Sequence, residues 1–129
     1  VAVWLAEIPR AEAFCLALIL AFAIERPFYF LLKIGLKRNR PEQVMPSIKA
    51  AVVPADQFSF PSGHTSAAFC FATIAGMLLT GPHTPFFLWA SAIGLSRIML
   101  AVHFPCDVMA GAIIGSTIAT ISAGLVSAL

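Results

Sequence analysis

The sequence predicts an all-α fold, a polytopic transmembrane bundle with about four spanning helices, and three observations carry that prediction. Hydrophobic residues make up 60% of the 129 positions and the mean hydropathy is +0.92, which leaves too little polar surface to clothe a soluble domain of this size. No Asp, Glu, Lys or Arg lies between Gln57 and Ser96, and none follows Asp107. Such stretches exceed the roughly 20 apolar residues that cross a bilayer. The remaining charge is gathered: Lys33, Lys37, Arg38, Arg40 and Lys49, five of the eight basic residues, sit in or beside one polar segment.

The first helix is expected from residue 11 to the low thirties. It contains Glu25-Arg26-Pro27, and the stretch before Glu25 is too short to span alone at about 1.5 Å per residue, so the helix should continue through the triplet with a kink. The alternative is that residues 28–36 lie in the interface as an amphipathic tail. Residues 37–60 form a polar connection, in which prolines at 41, 46 and 54, with Pro61 just beyond, prevent a long helix.

A second helix opens at Ser62-Gly63-His64 and runs to about Thr80, and Gly81-Pro82-His83-Thr84-Pro85 makes a tight turn. The third helix covers residues 86–103, and the fourth starts near Pro105 or Asp107 and continues to the end. Gly111 and Gly115 form a GxxxG, the spacing of small residues that lets membrane helices approach closely. Cys15, Cys70 and Cys106 lack CxxC spacing and read as buried free thiols. The whole chain, 1–129, reads as a single membrane-embedded domain. It begins at Val1, without methionine, inside an apolar segment, and is therefore expected to be truncated at its N-terminus. A net charge of +2 is too small to suggest a nucleic-acid partner.

This order of spans has a topological consequence. The first helix exits on one side of the bilayer, the second descends, and the third climbs back. Residues 33–40, 62–64 and 103–107 therefore meet at the same membrane face. Charge at a membrane edge is costly, so its clustering points to function. His83 falls in the opposite turn and reads as surface. Glu25 and Arg26 can pair with each other or with a helix outside the chain.

Each cluster has its own chemistry. Pro61 precedes a helix start and Ser62 is a good N-cap. The N–H groups of Ser62, Gly63 and His64 would then form an anion site at the positive end of the helix dipole, which Gly63 lets an anion approach. An ordinary capped helix with a structural histidine fits the same residues. His103 is followed by Phe104-Pro105, which breaks the helix, and Asp107 follows in the next first turn. A carboxylate bonded to one ring nitrogen fixes the tautomer and leaves the other nitrogen as a nucleophile; a buried His–Asp pair holding a turn is the plainer reading. Arg97 stands deep in the third helix within an uncharged stretch and needs an anion to face. Arginine forks match the oxygens of a phosphoryl group. For Lys37 and Arg38 a juxtamembrane role against anionic headgroups is preferred.

Read in order, Lys33-x6-Arg40-Pro41, Pro61-Ser62-Gly63-His64 and Ser96-Arg97-x5-His103-x3-Asp107 resemble the three-part signature of the type 2 phosphatidic acid phosphatase (PAP2) family. The family's site is similar to that of the vanadium haloperoxidases. The resemblance implies six spanning helices in the full fold, with the N-terminal pair outside this chain. It implies a membrane lipid phosphatase in which His103 attacks phosphorus to form a phosphohistidine, Asp107 orients it, and His64 protonates the departing lipid oxygen and then activates water. Lys33, Arg40, Ser62, Gly63 and Arg97 would hold the phosphate. No carboxylate cluster suits Mg²⁺ and no His/Cys set suits Zn²⁺, so no metal or other cofactor is expected.

The expected partners are a lipid phosphate substrate and membrane lipids. Phosphatidic acid, phosphatidylglycerophosphate and undecaprenyl diphosphate all fit. The expected location is a bacterial inner membrane with the site at the periplasmic face. A vanadate-dependent peroxidase is disfavoured by the hydrophobicity. A lipid phosphotransferase would share the phosphohistidine, and a non-enzymatic binder of anionic lipids would need neither histidine.

Overall fold

The computed structural model describes the backbone of residues 2–129 and the side chains from Arg10 onward. Five helices follow one another: α1 (Ala2–Leu36), α2 (Pro41–Val44), α3 (Gly63–Leu78), α4 (Thr84–Met99) and α5 (Pro105–Ser127), with no strand among the described residues. The chain is an all-helical transmembrane bundle, as its composition requires. α1 and α5 are long and apolar enough to cross a membrane. α3 and α4, at 16 residues each, are about 24 Å long.

α1 begins earlier than the pattern suggested and runs without interruption through Glu25-Arg26-Pro27. The triplet is tolerated because its charges are matched. Arg26 forks onto Glu25, with Nη2 donating to Oε1 at 2.7 Å, and the fully buried Glu25 also accepts the Ser66 hydroxyl of α3 at 2.5 Å. A carboxylate inside a helical bundle is costly unless paired in this way. Lys37, at φ 46, takes the left-handed conformation that ends the helix, its N–H bonding Lys33 O.

The core is made of small residues. Ala17 and Ala21 of α1, Cys70 and Ile74 of α3, and Ile118, Ala119 and Val126 of α5 bury one another. Large side chains such as Ile19, Leu31, Leu88, Met99 and Ile113 point outward, as expected where the surroundings are lipid and association relies on close packing. The GxxxG meets α3 directly. A Cβ on Gly111 would sit 2.5 Å from Ser62 O, and one on Gly115 would overlap Ser66 O. Ser62 N–H also donates to Asp107 O at 3.0 Å. The N-termini of α3 and α5 are thus pressed together, and the two signature segments with them.

Two expectations need correction. α4 ends at Met99, not at residue 103; Ala101 at φ 56 turns the chain, so His103 lies in the connection to α5. Of the cysteines only Cys70 is buried; Cys15 and Cys106 are exposed and free, because one lies on an outward helix face and the other on the first turn of α5.

Candidate active site

The C-terminal half of α1, the connection 37–62, the start of α3, the end of α4 and the α4–α5 turn meet at one end of the bundle. They enclose a cavity of about 600 Å³. Arg40, Gly63, His64, Arg97 and His103 line it, together with Arg26, Tyr29 and Asp56. His83 is exposed in the α3–α4 turn at the other end.

Each cation reaches the site differently. Arg97 comes from the last turn of α4 rather than from its middle, half-buried, its Nε donating to Ser96 Oγ at 3.3 Å. Arg40, just before α2, is buried. Its Nη1 donates to Val102 O at 2.5 Å, its Nη2 to Asp56 Oδ1 at 2.7 Å and its Nε to Asp56 O at 3.1 Å. Lys33 does not line the cavity. It is buried behind Asp56, donating to Oδ1 at 2.6 Å and to Phe58 O at 2.9 Å.

The start of α3 carries Gly63 and His64 into the cavity wall. Tyr29 packs so closely on Gly63 that a Cβ there would lie 2.8 Å from the ring. Ser62 takes the N-cap position but makes no side-chain cap bond; its fully buried hydroxyl pairs with Thr65 Oγ1 at 2.9 Å, away from the cavity. The hydroxyl expected to hold phosphate thus lies beside the cavity wall and not on it. The consequence is favourable for anion binding, because the cap leaves the first-turn N–H groups of α3 unclaimed by its own side chain. α5 differs: Asp107, in its first turn, accepts the Phe104 N–H at 2.8 Å and so covers its own helix start.

His103 lies 6% exposed, with Nδ1 turned inward and without a hydrogen-bond partner. Asp107 Oδ2 is 4.0 Å from that nitrogen, near it but not bonded. The carboxylate is held by the Ser59 hydroxyl at 2.5 Å and by Arg38 Nη1 at 2.9 Å. Arg38, assigned from sequence to headgroups, thus pairs with Asp107 and lies over the Phe104 ring at 4.7 Å. Burial, then the positive charge of Arg40, push the His103 imidazole down to about 4, against a smaller pull from Asp107. His103 is therefore a neutral base at neutral pH.

Asp56, Arg38, Tyr29 and Ser59 were missed. Asp56 left one signal, a solitary acid shortly before Pro61 in a stretch otherwise free of charge; the others left none. Burial works to raise the Asp56 carboxyl, but hydrogen bonds from Lys33 and Tyr29 and the Lys33 charge outweigh it and hold it below the ordinary carboxylate range.

Residues 11–128 match the profile of the PAP2 superfamily. The chain belongs to the PAP2 superfamily. A probable lipid phosphate phosphatase beta of Arabidopsis thaliana is 31% identical over 135 residues, covering 83% of this chain and 63% of the relative. The crystal structure of Aquifex aeolicus LpxE is similar with a TM-score of 0.77 and 36% identity, over 86% of this chain and 67% of that one. The transmembrane PAP2-type phosphatidylglycerolphosphate phosphatase of Bacillus subtilis gives a TM-score of 0.70 and 27% identity, over 99% and 70%. The chain spans about half to two thirds of the length of the curated relatives it matches. The PAP2 signature thus falls on one cavity, with Arg40, Gly63, His64, Arg97 and His103 on its wall and Lys33, Ser62 and Asp107 immediately behind it.

Proposed function

We propose that this chain is the catalytic part of a membrane lipid phosphatase that hydrolyses a phosphomonoester or diphosphate through a phosphohistidine. One observation carries the reading: two histidines from different elements share a cavity with three arginines, Arg26, Arg40 and Arg97, and a helix N-terminus. Relatives named for lipid phosphates, phosphatidylglycerophosphate and decaprenylphosphoryl-5-phosphoribose support the substrate class.

The chemistry follows from the positions. With His103 Nδ1 buried, Nε2 is the atom that attacks phosphorus in line. Arg40, Arg97 and the N–H groups at the start of α3 take the equatorial oxygens, on which charge gathers in transfer. The imidazolium formed on His103 draws Asp107, which needs to close by only about 1 Å to make an ordinary hydrogen bond. His64, exposed at the α3 start, protonates the leaving lipid oxygen and then activates water for the second displacement. Among the described residues no three His, Cys, Asp or Glu side chains come together as a ligand set, and the reading assigns charge stabilisation to the chain's own cations, without a metal or other cofactor. The proposed location is a bacterial inner membrane with the cavity at the periplasmic face, supplied with substrate from the surrounding lipid.

The test is phosphate release by the full-length protein from a panel of lipid phosphates. Release in the wild type that disappears in His103→Ala is the expected result. Equal release by both proteins, or none from any lipid phosphate, contradicts the proposal.

A further inference from the structure

Asp56 is the one carboxylate among the residues that line the cavity, and it is bound there as a phosphate oxygen would be. A single oxygen, Oδ1, receives Lys33 Nζ at 2.6 Å and Arg40 Nη2 at 2.7 Å. The other, Oδ2, receives the Tyr29 hydroxyl at 2.7 Å. These are the short, charge-assisted contacts that a phosphoryl oxygen makes with the same donors. Two cations on either side of the end of α1, Lys33 within it and Arg40 just before α2, are brought to one point by this oxygen. The Asp56 side chain remains 35% exposed, whereas those of Lys33 and Arg40 are each 5% exposed. Asp56 also sits in the connection between α2 and α3, outside any helix. The cations are thus fixed by burial and by their carbonyl contacts to Phe58 and Val102, and the carboxylate is the partner that can withdraw.

We propose that Asp56 is a specificity-determining residue: its carboxylate competes with the substrate's phosphate for Lys33 and Arg40. The inference rests on the reading of the cavity as a phosphate site. It deepens that reading by assigning what sets anion selectivity. A free tetrahedral oxyanion must displace Asp56 using its own contacts alone. A lipid phosphate brings additional binding from its apolar chains, and so overcomes the same competitor. The internal carboxylate therefore discriminates against inorganic phosphate and favours release of the phosphate product, since Asp56 returns to the cations as phosphate leaves.

The test is direct binding of inorganic phosphate and of orthovanadate to the purified full-length protein, by calorimetry or ligand-induced shift of Tm. Asp56→Asn keeps the shape and removes the charge, and should bind both anions about tenfold more tightly, the scale of one lost charge-assisted competitor. Tyr29→Phe changes no charge but frees Oδ2, and should tighten binding by a smaller factor. Glu42→Gln removes an exposed carboxylate from neighbouring α2 and should change nothing, which separates competition from a general gain in positive potential. Unchanged or weaker binding in whichever of Asp56→Asn and Tyr29→Phe folds overturns the proposal, as does equal tightening in Glu42→Gln; Asp56 would then only scaffold Lys33 and Arg40 or act through bulk charge. Turnover is not read, so a protein that binds these anions but hydrolyses no lipid phosphate would defeat the functional reading and leave this result standing.

Discussion

A methyl group added at Gly111 should cost activity through geometry alone. Its Cβ would lie 2.5 Å from Ser62 O, 3.2 Å from Ser66 N and 3.3 Å from Thr65 Cβ. Two of these three atoms belong to backbone, so no side chain can swing aside. Restoring an ordinary contact requires α3 and α5 to separate locally by about 0.9 Å, given that normal Cβ contacts begin at 3.4 Å. Overpacking of this kind typically costs about 1–3 kcal/mol. The separation falls between Ser62 and Asp107, so it also shifts Gly63 and His64 relative to His103. A misplacement of about 1 Å in reacting groups can cost on the order of 10²-fold in rate. The assay is kcat on a lipid phosphate together with Tm in detergent. Gly111→Ala should lose about 10²-fold in kcat while remaining folded. Gly124→Ala, whose Cβ would meet nothing within 4 Å, should match the wild type in both. A Gly111→Ala protein with full kcat would refute the claim that the α3–α5 contact sets the site.

Three further outcomes are expected. His64→Ala should lose about 10²–10⁴-fold on a lipid monophosphate, whose alkoxide leaves poorly, yet keep much of the nitrophenol burst on p-nitrophenyl phosphate; equal loss of burst with both leaving groups would mean that His64 binds phosphate instead of donating a proton. The His103 imidazole, followed by NMR, should titrate near 4 rather than near the ordinary 6.5; the unfolded chain takes up the proton first, so stability present above 6.5 is lost as pH falls from about 6.5 through 4, and a titration near 6.5 would contradict the buried placement. Arg38→Ala removes a cation from Asp107 and should lower kcat with little change in KM, because Arg38 is not on the cavity wall; a rise in KM alone would assign it to substrate binding.

The meeting of residues 33–40, 62–64 and 103–107 at one face was legible in the sequence, because the number of spans between polar segments dictates it. The GxxxG contact was legible for a similar reason: Gly111 and Gly115 share one helix face, and only small residues allow the α3 backbone so near. What stayed hidden depends on choices between equivalent partners. The Ser62 hydroxyl can cap its own helix or bond Thr65, and spacing does not decide between them. Asp107 can serve His103, Arg38 or Ser59, and only the packed turn shows how it is shared. Asp56 sits in an irregular connection whose contacts arise from the tertiary fold, so no periodicity marks it. The end of α4 was misplaced because Leu100 and Ala101 carry no breaker; the left-handed turn at Ala101 is imposed by the return of the chain to α5.

The covalent step at His103 is the centre of the proposed chemistry. Rapid acid-free quenching during turnover of a lipid phosphate, followed by peptide mapping, measures it directly. An acid-labile, alkali-stable phosphate is expected on the peptide containing His103, absent from His103→Ala and longer-lived in His64→Ala, where water is no longer activated. Steady turnover with no covalent phosphate on His103, or with phosphate on another residue, would contradict it.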